Sequence, residues 1–338
     1  MTITRTLTSE PDRLVHVPNR RRRGALTWLF AVAGAVLLAW QASTFVRWIA
    51  RGHVESIVRF RDPSATSWVA ARVFELVFLA ITIALMVYIA RNALRQKRFT
   101  LDAMIAVALL SSAWLDPAFM FYKQIFLYSS QFVNVRAWCG DMPGVLNTQC
   151  GNTPEPLIVP LLYVDVLVAA LLAAWVISKV RPRVGSWSVW HTLAWAGLVG
   201  AVFDFVMEVP AVRLGLWKNA SGPDLLAPPG LQDANRYSLT TAFTFALITA
   251  SVTALRMHRN DRGESFLERN QTRTVRSRFV SLLAVIGFIQ LTVIVSFAPA
   301  MLAAPYAGPW EHYPAYLTNG MCDNNVRDGA TPYPCPTS

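Results

Sequence analysis

The chain has 338 residues, 54% of them hydrophobic and 15% charged, with a formal net charge of +11. Several apolar runs approach or exceed 18 residues, enough to cross a hydrocarbon core about 30 Å thick, so a soluble globular domain is excluded. A β-barrel would show short alternating segments instead. The positive charge sits in Arg blocks beside the apolar runs, the usual membrane signature, and does not call for nucleic acid.

The predicted architecture is all-α: a multi-pass transmembrane helix bundle of about seven spans. Residues 1–24 are a basic N-terminal segment ending in Arg20-Arg21-Arg22-Arg23. The run after it, 25–46, is long and lacks a small-x-small cleavage site ahead of polar sequence, so it reads as a first span and not a leader. Further spans are predicted near 68–90, 101–115, 157–178, 187–209, 239–256 and 279–303. Together with the first they make a transmembrane domain over 25–303, followed by a tail at 304–338. The third span is short and runs into Asp116-Pro117. The aromatic segment behind it (Phe119, Phe121, Tyr122, Phe126, Tyr128, Phe132) either prolongs the helix or lies at the interface.

With the N-terminus in the cytoplasm, the inner segments carry 20 Lys and Arg and the outer ones 10. That bias puts the C-terminus outside, with the plasma membrane as the expected location. Arg47, Arg51, Arg59 and Arg61 form an outer cluster that runs against it. The basic residues are 27 Arg against 4 Lys, a compositional pointer to a GC-rich bacterial genome. Cys139, Cys150, Cys322 and Cys335 all fall in outer segments, where disulfides are permitted. Four cysteines allow three connectivities, and the local pairs Cys139–Cys150 and Cys322–Cys335 are the expected ones. There is no CxxC or HExxH spacing, no Gly-rich phosphate loop and no GxSxG elbow, so no metal or other cofactor is expected.

Chemistry concentrates in 199–217. Asp204 and Glu208 are four apart and stand on one helix face, one turn above the other. Pro210 is predicted to end or kink that helix. An ionisable residue within a span costs roughly 2.5–3.5 kcal/mol and tends to face a bundle interior. Either the two acids pair with Arg213 or Arg236, or they line a polar pocket. Arg72 and Glu75 lie in the outer part of the second span, where they can also pair with each other. Asp116 lies at the outer end of the third span and Asp165 in the outer half of the fourth. Five acids from four helices thus reach similar depths, beside Arg236 and Tyr237 at the start of the sixth. Convergence predicts one cavity near the outer leaflet, roofed by the 116–155 loop; separate interface acids are the alternative. Trp114, Tyr122, Tyr128 and Trp217 offer ring faces to a developing cation. Such a set suits proton-driven cyclisation, hydration or dehydration of an apolar substrate. It suits proton-coupled transport almost equally, although no internal repeat of the transporter kind is present.

Several blocks resemble the avermectin spirocyclase (AveC-like) family. They are Thr100-Leu101-Asp102-Ala103-Met104, Trp114-Leu115-Asp116-Pro117, Tyr128-Ser129-Ser130, Asn134-Val135 and Ala137-Trp138. They continue through Pro154-Glu155-Pro156-Leu157, the Asp204/Glu208 pair, Arg236-Tyr237 and the tail from Tyr313 to Cys322. The resemblance runs in order over about 25–322. It implies a cofactor-independent membrane enzyme that closes a spiroketal on a polyketide, in some members with a dehydration as well. Where the family often carries Asn-Tyr after the Asp-Pro, this chain reads Phe121-Tyr122, so any role of that amide is lost. The expected proton-transfer groups are Asp116, Asp204 and Glu208. Glu75, Arg72, Asp165, Arg236, Tyr122, Tyr128, Asn134 and Trp114 are expected to support them. The expected partners are a hydrophobic small-molecule substrate and the lipid bilayer, with no nucleic acid. The alternative is a non-catalytic lipid-binding or proton-coupled carrier.

Overall fold

The structure is a computed structural model, and it describes residues 20–57, 65–120, 125–183, 187–219, 237–260, 264–268, 275–304 and 317. The helices are α1 (Arg20–Ala50), α2 (Thr66–Gln96), α3 (Leu101–Ser112), α4 (Leu115–Ala118), α5 (Val159–Val180), α6 (Val189–Arg213), α7 (Leu239–Met257) and α8 (Val275–Ala303). Short strands lie between them: β1 (Phe126–Tyr128), β2 (Asn134–Arg136), β3 (Pro154–Pro156) and β4 (Trp217–Asn219). Among the described residues, six helices are long and apolar enough to cross a membrane. They are α1, α2, α5, α6, α7 and α8, so the multi-pass helical architecture holds.

The remaining expected span, 101–115, is shorter than a crossing. α3 has 12 residues, which at 1.5 Å each rise about 18 Å. It begins at a Thr100 cap whose side chain accepts from the Ala103 N–H. After a turn at Ala113 and Trp114, the single-turn α4 carries Asp116. The aromatic segment that follows does not prolong the helix: Phe126 to Tyr128 is a strand. β1 pairs antiparallel with β4 (Phe126 opposite Asn219, Tyr128 opposite Trp217), and β2 pairs with β3 (Val135 opposite Glu155). Pro154 and Pro156 lack N–H donors, which suits a two-stranded ribbon with no further neighbour.

Pro210 does not end α6, which runs on to Arg213. The proline stands in the last turns, where only one helical bond is forfeited. Leu214 N–H then bonds the Pro210 carbonyl and Leu216 N–H the Ala211 carbonyl. The buried Lys218 amine closes the same end on the Val212 carbonyl.

Two helix pairs pack backbone to backbone. A Cβ on Gly287 of α8 would clash with the Phe30 carbonyl of α1, and one on Gly34 with the Leu283 carbonyl. Gly200 of α6 sits likewise against Phe245 and Thr249 of α7. Small residues at such crossings are how membrane helices gain close van der Waals contact. At one end of the bundle Arg256 of α7 clasps Asp102 of α3 through two hydrogen bonds. The opposite end gathers the starts of α2, α5 and α7 and the ends of α3, α6 and α8, together with the described strands.

That end is stapled from outside the helices. Cys139 and Cys150 form a disulfide, as expected, whereas Cys322 and Cys335 lie outside the described residues. Asp141 receives Arg51 and His53, both at 2.8 Å. Trp138 packs edge-on against Phe45 and Trp48 of α1.

Candidate active site

A cavity of about 110 Å³ lies at the strand-bearing end, walled by Asp116, Asp165, Asp204 and Glu208 together with Tyr128, Tyr163 and Trp217. Rings of Phe74, Phe78, Phe126 and Phe297 complete much of the lining. Helical periodicity sets Asp204 and Glu208 on one face of α6. The other acids arrive on α4 and on α5, which packs against α6. Four of the five expected acids therefore share one chamber.

Each carboxyl has a distinct set of donors. Tyr128 Oη donates to Asp116 Oδ2 at 2.8 Å, and Tyr163 Oη donates to Oδ1 at 3.3 Å. Tyr237 Oη donates to Asp204 Oδ2 at 2.7 Å. The Asn219 amide donates to Glu208 Oε1, and Trp217 also bonds Glu208. Asp204 and Glu208 stand one helical turn apart on the same buried face of α6, an arrangement in which two carboxyl groups can share a proton. Asp165 is held by Thr82 Oγ1 at 3.3 Å.

Burial raises the Asp116 pKa from 3.8 to about 6, against the lowering effect of its two tyrosine bonds. Glu155, on β3, belongs to the same cluster although the sequence reading gave it no role. It is 1% exposed, and neither of its carboxyl oxygens has a partner among the described residues. Burial, and then the charge of Asp116, holds its pKa well above the ordinary range. Burial pushes both carboxyls toward the neutral form, and the two tyrosine bonds hold Asp116 back.

The other expected residues stand elsewhere. Arg72 and Glu75 do pair with each other, at 3.0 Å, and do not line the chamber. Arg72 also donates to the Gln131 carbonyl at 2.6 Å, and Glu75 accepts from Val133 N–H at 2.8 Å. Both brace the loop behind Tyr128. Asn134 works the same way: it accepts from Ile57 N–H and donates to the Ser130 and Phe132 carbonyls. Trp114 is buried against the edge of Trp40, and its carbonyl accepts from Trp138. Arg213 is exposed at the end of α6. Tyr122 and Arg236 lie outside the described residues.

Tyr163, Asn219 and Glu155 are the groups that sequence reasoning missed as site residues, whereas Tyr237 was placed beside the converging acids and does bond Asp204. The signal for Glu155 was an acid between two prolines, Pro154-Glu155-Pro156, in a loop otherwise poor in charge. The others carried none beyond polarity near a helix end.

A sequence model of the family described as "Spirocyclase AveC-like" matches residues 96–312, a stretch that holds the whole acid cluster. No curated protein and no solved structure matches the chain.

Proposed function

The chain belongs to the AveC-like spirocyclase family, and on that footing we propose a membrane-embedded enzyme that closes a spiroketal on a hydrophobic, polyketide-like dihydroxyketone with loss of one water. The observation that carries this reading is the chamber itself: four carboxyls, each with its own donors, around one otherwise apolar cavity.

The chemistry divides between the two acid groups. One substrate hydroxyl adds to the ketone, and its proton passes through a carboxylate to the former carbonyl oxygen, giving a hemiketal. The Asp204–Glu208 pair then delivers its shared proton to the hemiketal hydroxyl, the C–O bond breaks, and water leaves. The resulting oxocarbenium ion sits among the carboxylate of Asp116 and the rings of Tyr128 and Trp217, which stabilise positive charge. The second hydroxyl attacks the cation, and Asp116 takes its proton. Transfer of that proton back to the acid pair completes the cycle, so one water is lost and no net proton is consumed.

We assign the chamber to the extracytoplasmic half of the plasma membrane. The disulfide beside it calls for an oxidising compartment, and the Arg bias of the opposite loops points the same way.

The test is conversion of a dihydroxyketone by membranes carrying Asp116→Asn, Asp204→Asn or Glu208→Gln. Each is expected to lose about 10²-fold or more in turnover. Full turnover by all three would remove these groups from the chemistry. Uptake of the ketone into proteoliposomes without chemical change would favour a carrier.

A further inference from the structure

The chamber is too small for a whole polyketide. At about 110 Å³ it falls below the ~300–1,000 Å³ of pockets that enclose drug-sized ligands. It holds the reacting centre of a long substrate and little more. A second cavity of about 630 Å³ lies between the first half of α2 and the last turns of α6. Its walls are Val69 and Val73 on one helix and Val206 and Pro210 on the other.

Apolar surface is unremarkable on a membrane helix, but this surface is concave and backs onto the acids. Phe74, Phe78 and Met207 line both cavities and so form a partition one side chain thick. Phe74 and Phe78 lean on each other at 4.3 Å, and Phe74 also meets Trp217 of the chamber wall at 5.3 Å. The helices on either side are tied to other neighbours: α2 packs on α5, and α6 on α7 and α5. The partition therefore rests on side chains, which change rotamer far more readily than packed helices move.

We propose that this groove is the binding site for the aliphatic arm of the substrate, and that the arm reaches the chamber sideways from the bilayer through the Phe74–Phe78–Met207 partition. The proposal rests on the spirocyclase reading and adds a substrate class: dihydroxyketones bearing an extended alkyl chain, with the carbonyl end in the acids and the chain between α2 and α6. The same opening releases the spiroketal into lipid.

Val73→Trp and Val206→Trp fill the groove from positions that do not themselves line the chamber. Two ketones are compared in proteoliposomes, a short dihydroxyketone and the same head carrying a long alkyl chain. The expected result is a KM raised about tenfold or more for the long substrate alone, with kcat unchanged and the short substrate unaffected. Equal effects on both substrates, or none on either, would overturn the proposal. A diazirine on the alkyl chain supplies a readout independent of turnover. Adducts are expected on α2 and α6 around Val73 and Val206, and they should be competed by excess unlabelled long ketone. Adducts elsewhere, or adducts that the ketone does not compete, mark ordinary lipid contact and sink the idea. If the unaltered protein converts neither ketone, the spirocyclase reading fails, while the adduct map still decides the groove.

Discussion

At the scale of single residues, Asp116 and Glu155 show how hydrogen-bond donors modulate a shared burial. Asp116 accepts from two tyrosine hydroxyls, which offset part of the burial, and its pKa is about 6; Glu155 has no donor among the described residues, and burial holds its pKa well above the ordinary range. If Asp116 works as the carboxylate, kcat/KM falls as pH drops through about 6. A profile flat from pH 5 to 8 would contradict that role. Stability runs the other way. The folded-state pKa of Asp116 lies above the unfolded value, so folding favours the protonated form. Its contribution is full below about pH 4 and is lost as pH rises through 6. A rise from 3.8 to about 6 corresponds to roughly 3 kcal/mol. Asp116→Asn is therefore expected to stabilise the protein at pH 8, by about 1–3 kcal/mol, while lowering turnover about 10²-fold or more. Thermal unfolding at pH 5 and pH 8 checks this, with the gain expected to shrink at pH 5. The Asp204–Glu208 pair was legible in the sequence because a 3.6-residue period alone sets both side chains on one face. Glu155 was not, because it meets Asp116 only after two loops have folded over each other.

At the scale of elements, the glycines at the two tightest crossings are the most exacting positions in the bundle. α1 and α8 approach until the backbones touch at Gly34 and Gly287, and no side chain there can move aside to admit a Cβ. Gly287→Leu is expected to cost about 2 kcal/mol or more by overpacking, read as a lower unfolding temperature in detergent. A variant as stable as the parent would mean that the helices separate freely. Gly24, with open space around its Cβ position, is the control: Gly24→Ala should be neutral or slightly stabilising. The long helices were readable from apolar runs, but their ends less so: α2 runs six residues past the expected 90 and α1 starts five before the expected 25. The strands were not readable, since three residues are too few for an alternating pattern to rise above chance. The continuation of α6 past Pro210 depended on later residues, Leu214 to Lys218, that cap the turn. The pairing of Arg72 with Glu75 was visible as a spacing of three, but its partners in the Gln131–Val133 loop were not.

At the scale of the whole molecule, one end of the bundle is clasped and the other is plain helix and ion pair. The Cys139–Cys150 disulfide closes a short loop at the strand-bearing end, and the chain-entropy account assigns a closure of that length about 3 kcal/mol. Cys139→Ser with Cys150→Ser is expected to lose that much stability, measured by thermal unfolding, and to lower turnover by loosening the β2–β3 ribbon that carries Glu155. A membrane-impermeant maleimide should label Leu146→Cys, which is exposed in that loop, in intact cells. Labelling only after lysis would invert the assigned orientation. If the chamber closes spiroketals as proposed, the thin wall of side chains between chamber and groove also bears on where that reaction stops. Ketal formation is reversible, and a catalyst speeds hydrolysis as much as closure. A product that slipped past three side chains into hydrocarbon would escape both the acids and the water that would reopen it. The bilayer would then act as a sink, and the yield would be set by partitioning as much as by the catalyst's own rates.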